Sequence, residues 1–93
     1  MSIKSKFFIK CAENAFFKFN DLETFTKMIN KAIEADNKDS KAHILKASIF
    51  LRTGELLEVL AVLTYAIRVN PEKFEEYNEI FNITNELIEN EEK

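Results

Sequence analysis

The stretch GELLEVLAVLTYAIRVNP, residues 54–71, decides the fold. Leu56, Val59, Leu63, Ala66 and Ile67 recur at spacings of three and four, which makes one face of a helix over 55–69 apolar. Gly54 stands just ahead of it, where a left-handed C-cap ending the preceding helix carries no Cβ penalty. Pro71 stops it, because proline cannot continue a helix and restricts Asn70 before it. Upstream, the spacing predicts a helix over 41–53 carrying Ala42, Ala47, Ile49, Phe50 and Leu51, with Asp39 or Ser40 placed to cap it. Downstream, proline suits the first turn of a helix over 72–90, whose Glu72, Glu75 and Glu76 sit near its positive dipole end.

The polar break DNKDS at 36–40 separates this half from a similar one. Leu22, Phe25, Met28, Ile29, Ala32 and Ile33 predict a helix over 22–36, with Asp21 as its N-cap, and Phe8, Ala12, Ala15, Phe16 and Phe19 predict one over 3–18. A shift of 34 residues places Phe16 on Phe50, Leu22 on Leu56, Phe25 on Val59, Ile29 on Leu63, Ala32 on Ala66 and Ile33 on Ile67. It also places the turn Phe19-Asn20-Asp21 on Thr53-Gly54-Glu55. Short connections require antiparallel neighbours. The expected fold is therefore all-α, with about five helices: a hairpin over 3–36, a hairpin over 41–69, a capping helix over 72–90 and an acidic tail at 91–93, in one domain. The last helix is expected to cover the exposed apolar edge with Phe74, Tyr77, Ile80, Phe81, Thr84 and Leu87.

A helical hairpin repeated at this period resembles the tetratricopeptide repeat family. Ala47 stands at the small position of the family's first helix and Phe50 at the aromatic one. Gly54 matches the turn, Ala66 the small position of the second helix, and Pro71 the closing proline. His43 in place of tryptophan, Lys46 in place of leucine, Glu13 at a small position and Asn37 for the first proline are departures. The resemblance implies a short α-solenoid of stacked hairpins whose first helices line a concave groove. Carried over by position, that groove holds Phe7, Lys10, Cys11, Asn14, Phe17 and Lys18, then Lys41, Ile44, Leu45, Ser48, Leu51 and Arg52, then Glu75, Asn78, Glu79 and Asn82. Phe17, Ile44, Leu45 and Leu51 are large apolar residues there, and contiguous exposed apolar surface marks interaction sites. Family members that grip the acidic tails of cytosolic chaperones need cations where this chain has Glu75 and Glu79. Lys10 and Asn14 match that specialisation, but Leu45 and the two glutamates depart from it, so a carboxylate ligand is not expected.

Composition bounds the chemistry. The 93 residues contain one glycine, one proline and one cysteine, which excludes an intrachain disulfide, a cysteine-based metal site and a glycine-rich phosphate loop. A lone cysteine suits a reducing compartment, the cytoplasm. No apolar run reaches the ~18 residues of a membrane span. Residues 2–12 carry lysines and no acidic residue, which also leaves mitochondrial association open; the basic helix with Phe7 and Phe8 has the character of a membrane-surface element, but packing of its phenylalanines into the first hairpin is the favoured expectation. Residues 71–93 hold eight glutamates against two lysines, an end that repels phosphate backbones and argues against nucleic acid as the primary ligand.

His43 and Cys11 form a conceivable nucleophile pair, but neither an orienting group nor oxyanion donors accompany them, and packing roles explain both. Glu86, Glu89, Glu91 and Glu92 lack the glycine turn of a calcium loop. No catalysis and no cofactor are expected. The expected function is a protein-binding adaptor or scaffold subunit taking an amphipathic helix or extended segment of a partner in the groove Lys10, Asn14, Phe17, Lys41, Ile44, Leu45, Ser48, Leu51 and Arg52. A dedicated chaperone shielding an aggregation-prone partner is the alternative, and a homodimer formed through the apolar surface stays open.

Overall fold

In the computed structural model, residues 2–91 are described. Five α-helices follow in order: α1 (Ile3–Phe19), α2 (Leu22–Ala35), α3 (Ser40–Arg52), α4 (Leu56–Val69) and α5 (Phe74–Glu91), the last entered through a single 3-10 turn at Pro71–Lys73. No strand occurs among the described residues. The chain is all-α, as its periodicity predicts, and each helix end falls within two residues of the expected one. Of the acidic tail, Glu91 closes α5, while 92 and 93 lie outside the described residues.

The chain divides into two compact units, Met1–Ala42 and His43–Lys93. In the first, α1 packs against α2. Asn20 joins them in the left-handed region at φ 51°, its amide donating to Phe16 O (3.0 Å) and that of Asp21 to Ala15 O (2.9 Å). Two helices thus reverse direction over two residues, with the freed carbonyls at the end of α1 satisfied. Asp21 caps α2 by accepting from Thr24 N at 3.0 Å and Thr24 Oγ1 at 2.6 Å. Ile9, Ala12, Ala15, Phe25, Ile29 and Ala32 are buried. Ser2 caps α1, its side chain accepting from Ser5 N.

The boundary between the units falls inside α3, later than the polar break at 36–40. A buried hydrogen bond lies on the first unit's side of it. Ser5 Oγ donates to Asp39 Oδ2 at 2.8 Å, and Asp39 Oδ1 accepts from Lys41 N at 3.0 Å. One carboxylate therefore ties the first turn of α3 to α1, and that turn belongs with the first hairpin. The sequence marks Asp39 as a cap but not Ser5 as its partner.

In the second unit, Ala47 and Phe50 of α3, Val59, Val62, Leu63 and Ala66 of α4, and Tyr77 of α5 form one buried cluster. Ile44, Leu51, Ile67, Ile80 and Phe81 pack against it, each partly buried. Gly54 turns the chain at φ 80°, and Glu55 N donates to Phe50 O at 2.9 Å. Asn70 ends α4, its amide donating to Ala66 O at 2.9 Å, as Asp36 ends α2 by donating to Ala32 O at 3.0 Å.

The 34-residue period is visible in backbone and burial. The left-handed turns Asn20 and Gly54 are one period apart, and so are the helix-ending amides of Asp36 and Asn70. Phe25 and Val59, Ile29 and Leu63, and Ala32 and Ala66 are each fully buried pairs. Ile9, His43 and Tyr77, three successive equivalents, are buried as well.

Some expected core positions differ. Phe19 is 74% exposed, because α1 ends on it and the chain turns away at Asn20. Ser5 and Ile9 take the buried face of α1 instead. In α5 the stripe through Tyr77 and Thr84 faces the core, with Ile80 and Phe81 partly covered. Leu87 lies beside that stripe and Phe74 at the start of the helix, and both stay exposed. Thr84 is buried although polar, and its hydroxyl donates back to Ile80 O at 2.8 Å.

Candidate partner-binding surface

In α1, the core takes Ser5, Ile9, Ala12 and Ala15. Ile3, Phe7, Lys10, Asn14 and Phe17 follow one another at alternating intervals of four and three residues and so share another face. Phe7 is 61% exposed and Phe17 56% exposed. Phe7 meets the edge of half-buried Phe8 at 5.5 Å between centroids, and Phe17 meets half-buried Phe16 at 5.2 Å. Phe16 in turn contacts buried Phe25 at 6.0 Å, and Lys31 Nζ lies 5.7 Å from the Phe8 ring centroid. Aromatic contacts thus run from the interior of the first unit to its surface. Lys6, Lys10 and Lys18 are exposed along the same helix, Asn14 is half-buried, and Cys11 is a half-buried free thiol.

The other expected groove residues fare unequally. Lys41 and Arg52 are exposed, while Ile44, Leu45, Ser48 and Leu51 are half-buried. Ile44 and Leu51 pack against the buried cluster of the second unit, so they are shared between core and surface rather than free of core duty. On α5, Glu75, Glu79 and Asn82 are exposed and Asn78 is half-buried. Exposed large hydrophobic residues that the sequence reading did not single out are Ile3, Leu57, Tyr65 and Ile83. The spacing from Ile3 to Phe17 was a usable signal for the first of these.

His43 is an interior residue. Its ring meets Tyr65 at 5.8 Å and Tyr77 at 6.3 Å between centroids, both edge-on, and Asn70 Nδ2 donates to the Tyr77 hydroxyl at 3.4 Å. His43, Tyr77 and Asn70 are all buried. The imidazole fills the place of a packing aromatic, enclosed by tyrosine rings. Cys11 belongs to the first unit and His43 to the second.

Lys46, three residues further along α3, is half-buried; burial pushes its pKa down, and the nearby Glu58 carboxylate partly opposes that shift. An open cleft of about 430 Å³ lies at the start of α4, lined by Gly54, Glu55, Leu56, Leu57, Glu58, Ile88 and Glu91. Among the described residues no group of three or more His, Cys, Asp or Glu side chains could hold a metal ion, and no helix is long and apolar enough to cross a membrane. No family model matches the chain, and no curated protein or solved structure does.

Proposed function

We propose that this chain is a non-catalytic protein-binding adaptor or scaffold subunit of tetratricopeptide type, taking an amphipathic helix or extended segment of a partner. The observation that carries the reading is the outer face of α1, where Phe7 and Phe17 stay exposed with Lys10 and Asn14 between them. Two large aromatic rings make good anchors, because an aromatic side chain has few rotatable bonds to fix on binding. Lysines along the same helix orient an acidic partner and speed its encounter. The 34-residue spacing of turns and buried positions supports the repeat assignment.

The test is affinity capture with the wild-type chain, Phe7→Asp and Phe17→Asp. These positions are preferable to Ile44 and Leu51, where an aspartate also disturbs the core. A stoichiometric partner held by the wild type and lost in both variants, with helical circular dichroism unchanged, is the expected result. Retention of that partner by both variants contradicts the reading.

A further inference from the structure

Two helices expose apolar pairs of matched spacing and opposite charge. On α1, Ile3 and Phe7 are one helical turn apart and exposed, flanked by exposed Lys6 and Lys10. On α5, Ile83 and Leu87 are likewise one turn apart and exposed, flanked by exposed Glu79 and Glu86, with Glu76 a further two turns up the same side. Residues 2–12 contain three lysines and no acidic residue, and residues 74–91 contain six glutamates and no basic one. Each face is what the other lacks.

We infer that α1 of one copy docks antiparallel on α5 of a second copy, an inference resting on the reading of the α1 face as a protein-binding surface. One register satisfies every group named. With Ile3 against Leu87, Phe7 falls against Ile83, Lys6 lies beside Glu86, Lys10 beside Glu79, and Asn14 reaches Glu76. A parallel alignment also opposes the apolar pairs, but it carries Lys10 to Asn90 and leaves Glu76 and Glu79 without a lysine. Antiparallel packing additionally sets opposed helix dipoles side by side. The interface is heterologous, using different surfaces on the two copies, so each chain carries one acceptor and one donor face. Its charge pairs lie at the surface and weaken with salt.

The heterologous character gives a complementation experiment by analytical ultracentrifugation. Lys6→Glu/Lys10→Glu removes the donor face and Glu79→Lys/Glu86→Lys removes the acceptor face; all four positions are exposed, and circular dichroism checks that each variant stays helical. The wild type is expected to self-associate, more weakly at high salt, and each variant by itself to dissociate at least tenfold more readily. An equimolar mixture of the two variants is expected to associate again, because one intact α1 then meets one intact α5 and the two reversed faces are themselves of opposite charge. A wild type that stays monomeric at every concentration overturns the inference, and so does a mixture no more associated than its components. Loss of a different captured partner in Phe7→Asp, with the wild type monomeric, sinks the second copy as occupant while leaving the binding surface standing.

Discussion

Replacing Gly54 with alanine isolates the backbone requirement of the second hairpin. Gly54 sits at φ 80°, and a Cβ built there meets nothing within 4 Å. Sterics with neighbours therefore contribute nothing, and the remaining cost is intrinsic: an L-residue in the left-handed region is disfavoured by about 1–2 kcal/mol. Alanine also reduces the freedom of the unfolded chain, but where φ is positive that entropic gain is outweighed. The net expectation is a loss of about 1 kcal/mol. A domain of this length has an unfolding entropy near the melting point that converts 1 kcal/mol into a fall of roughly 5 °C. Thermal unfolding by circular dichroism reads this directly. Asn20→Gly is the paired control at the equivalent turn, φ 51°, and is expected to hold or raise the melting temperature by a degree or two, since glycine relieves the same strain. An unchanged melting temperature in Gly54→Ala, or a fall in Asn20→Gly as large as that in Gly54→Ala, refutes the argument that left-handed turns one period apart set these two hairpins.

Ser5→Ala leaves the buried Asp39 carboxylate short of a donor and is expected to cost about 1–3 kcal/mol, with faster hydrogen exchange at the Lys41 amide; exchange unchanged there disconnects Ser5 from the start of α3. Leu63→Ala empties a fully buried position in the second cluster and is expected to cost about 3–5 kcal/mol by denaturant unfolding, whereas Leu57→Ala, on the exposed side of the same helix, stays within about 0.5 kcal/mol. Lys46→Met removes a half-buried ammonium whose pKa burial lowers, and is expected to raise the melting temperature by a few degrees at neutral pH. That advantage shrinks as pH rises through the depressed lysine pKa toward its ordinary 10.5, because the wild-type lysine then sheds its charge in the folded state first. Asp21 behaves in the opposite sense: its hydrogen bonds with Thr24 hold its pKa below the ordinary 3.8, so its stabilising cap persists above that value and is lost as pH falls through the lowered one. Asp21→Asn is accordingly expected to flatten the acid limb of a pH–stability curve, and an identical limb in both proteins removes Asp21 from the account.

Helices, their order and the caps at Asp21, Asp39 and Gly54 were legible in the sequence because they are local. Spacings of three and four, a polar break, a proline and a glycine act within a turn or two of the chain, and the structure places every helix where they point. The period was legible for the same reason, since it compares one local pattern with another. What required tertiary structure was the division of labour among side chains on a single helix. Ile44 and Leu51 fit an outer face by position, yet both lean on the buried cluster; Phe19 and Leu87 fit a core stripe, yet both face solvent. Nothing in the sequence near Ser5 marks it as buried; Asp39, distant in sequence, accepts its hydrogen bond. His43 carries no sequence sign of the two tyrosine rings that enclose it. A helix fixes which residues share a face, but only the neighbours it packs against fix which face is covered.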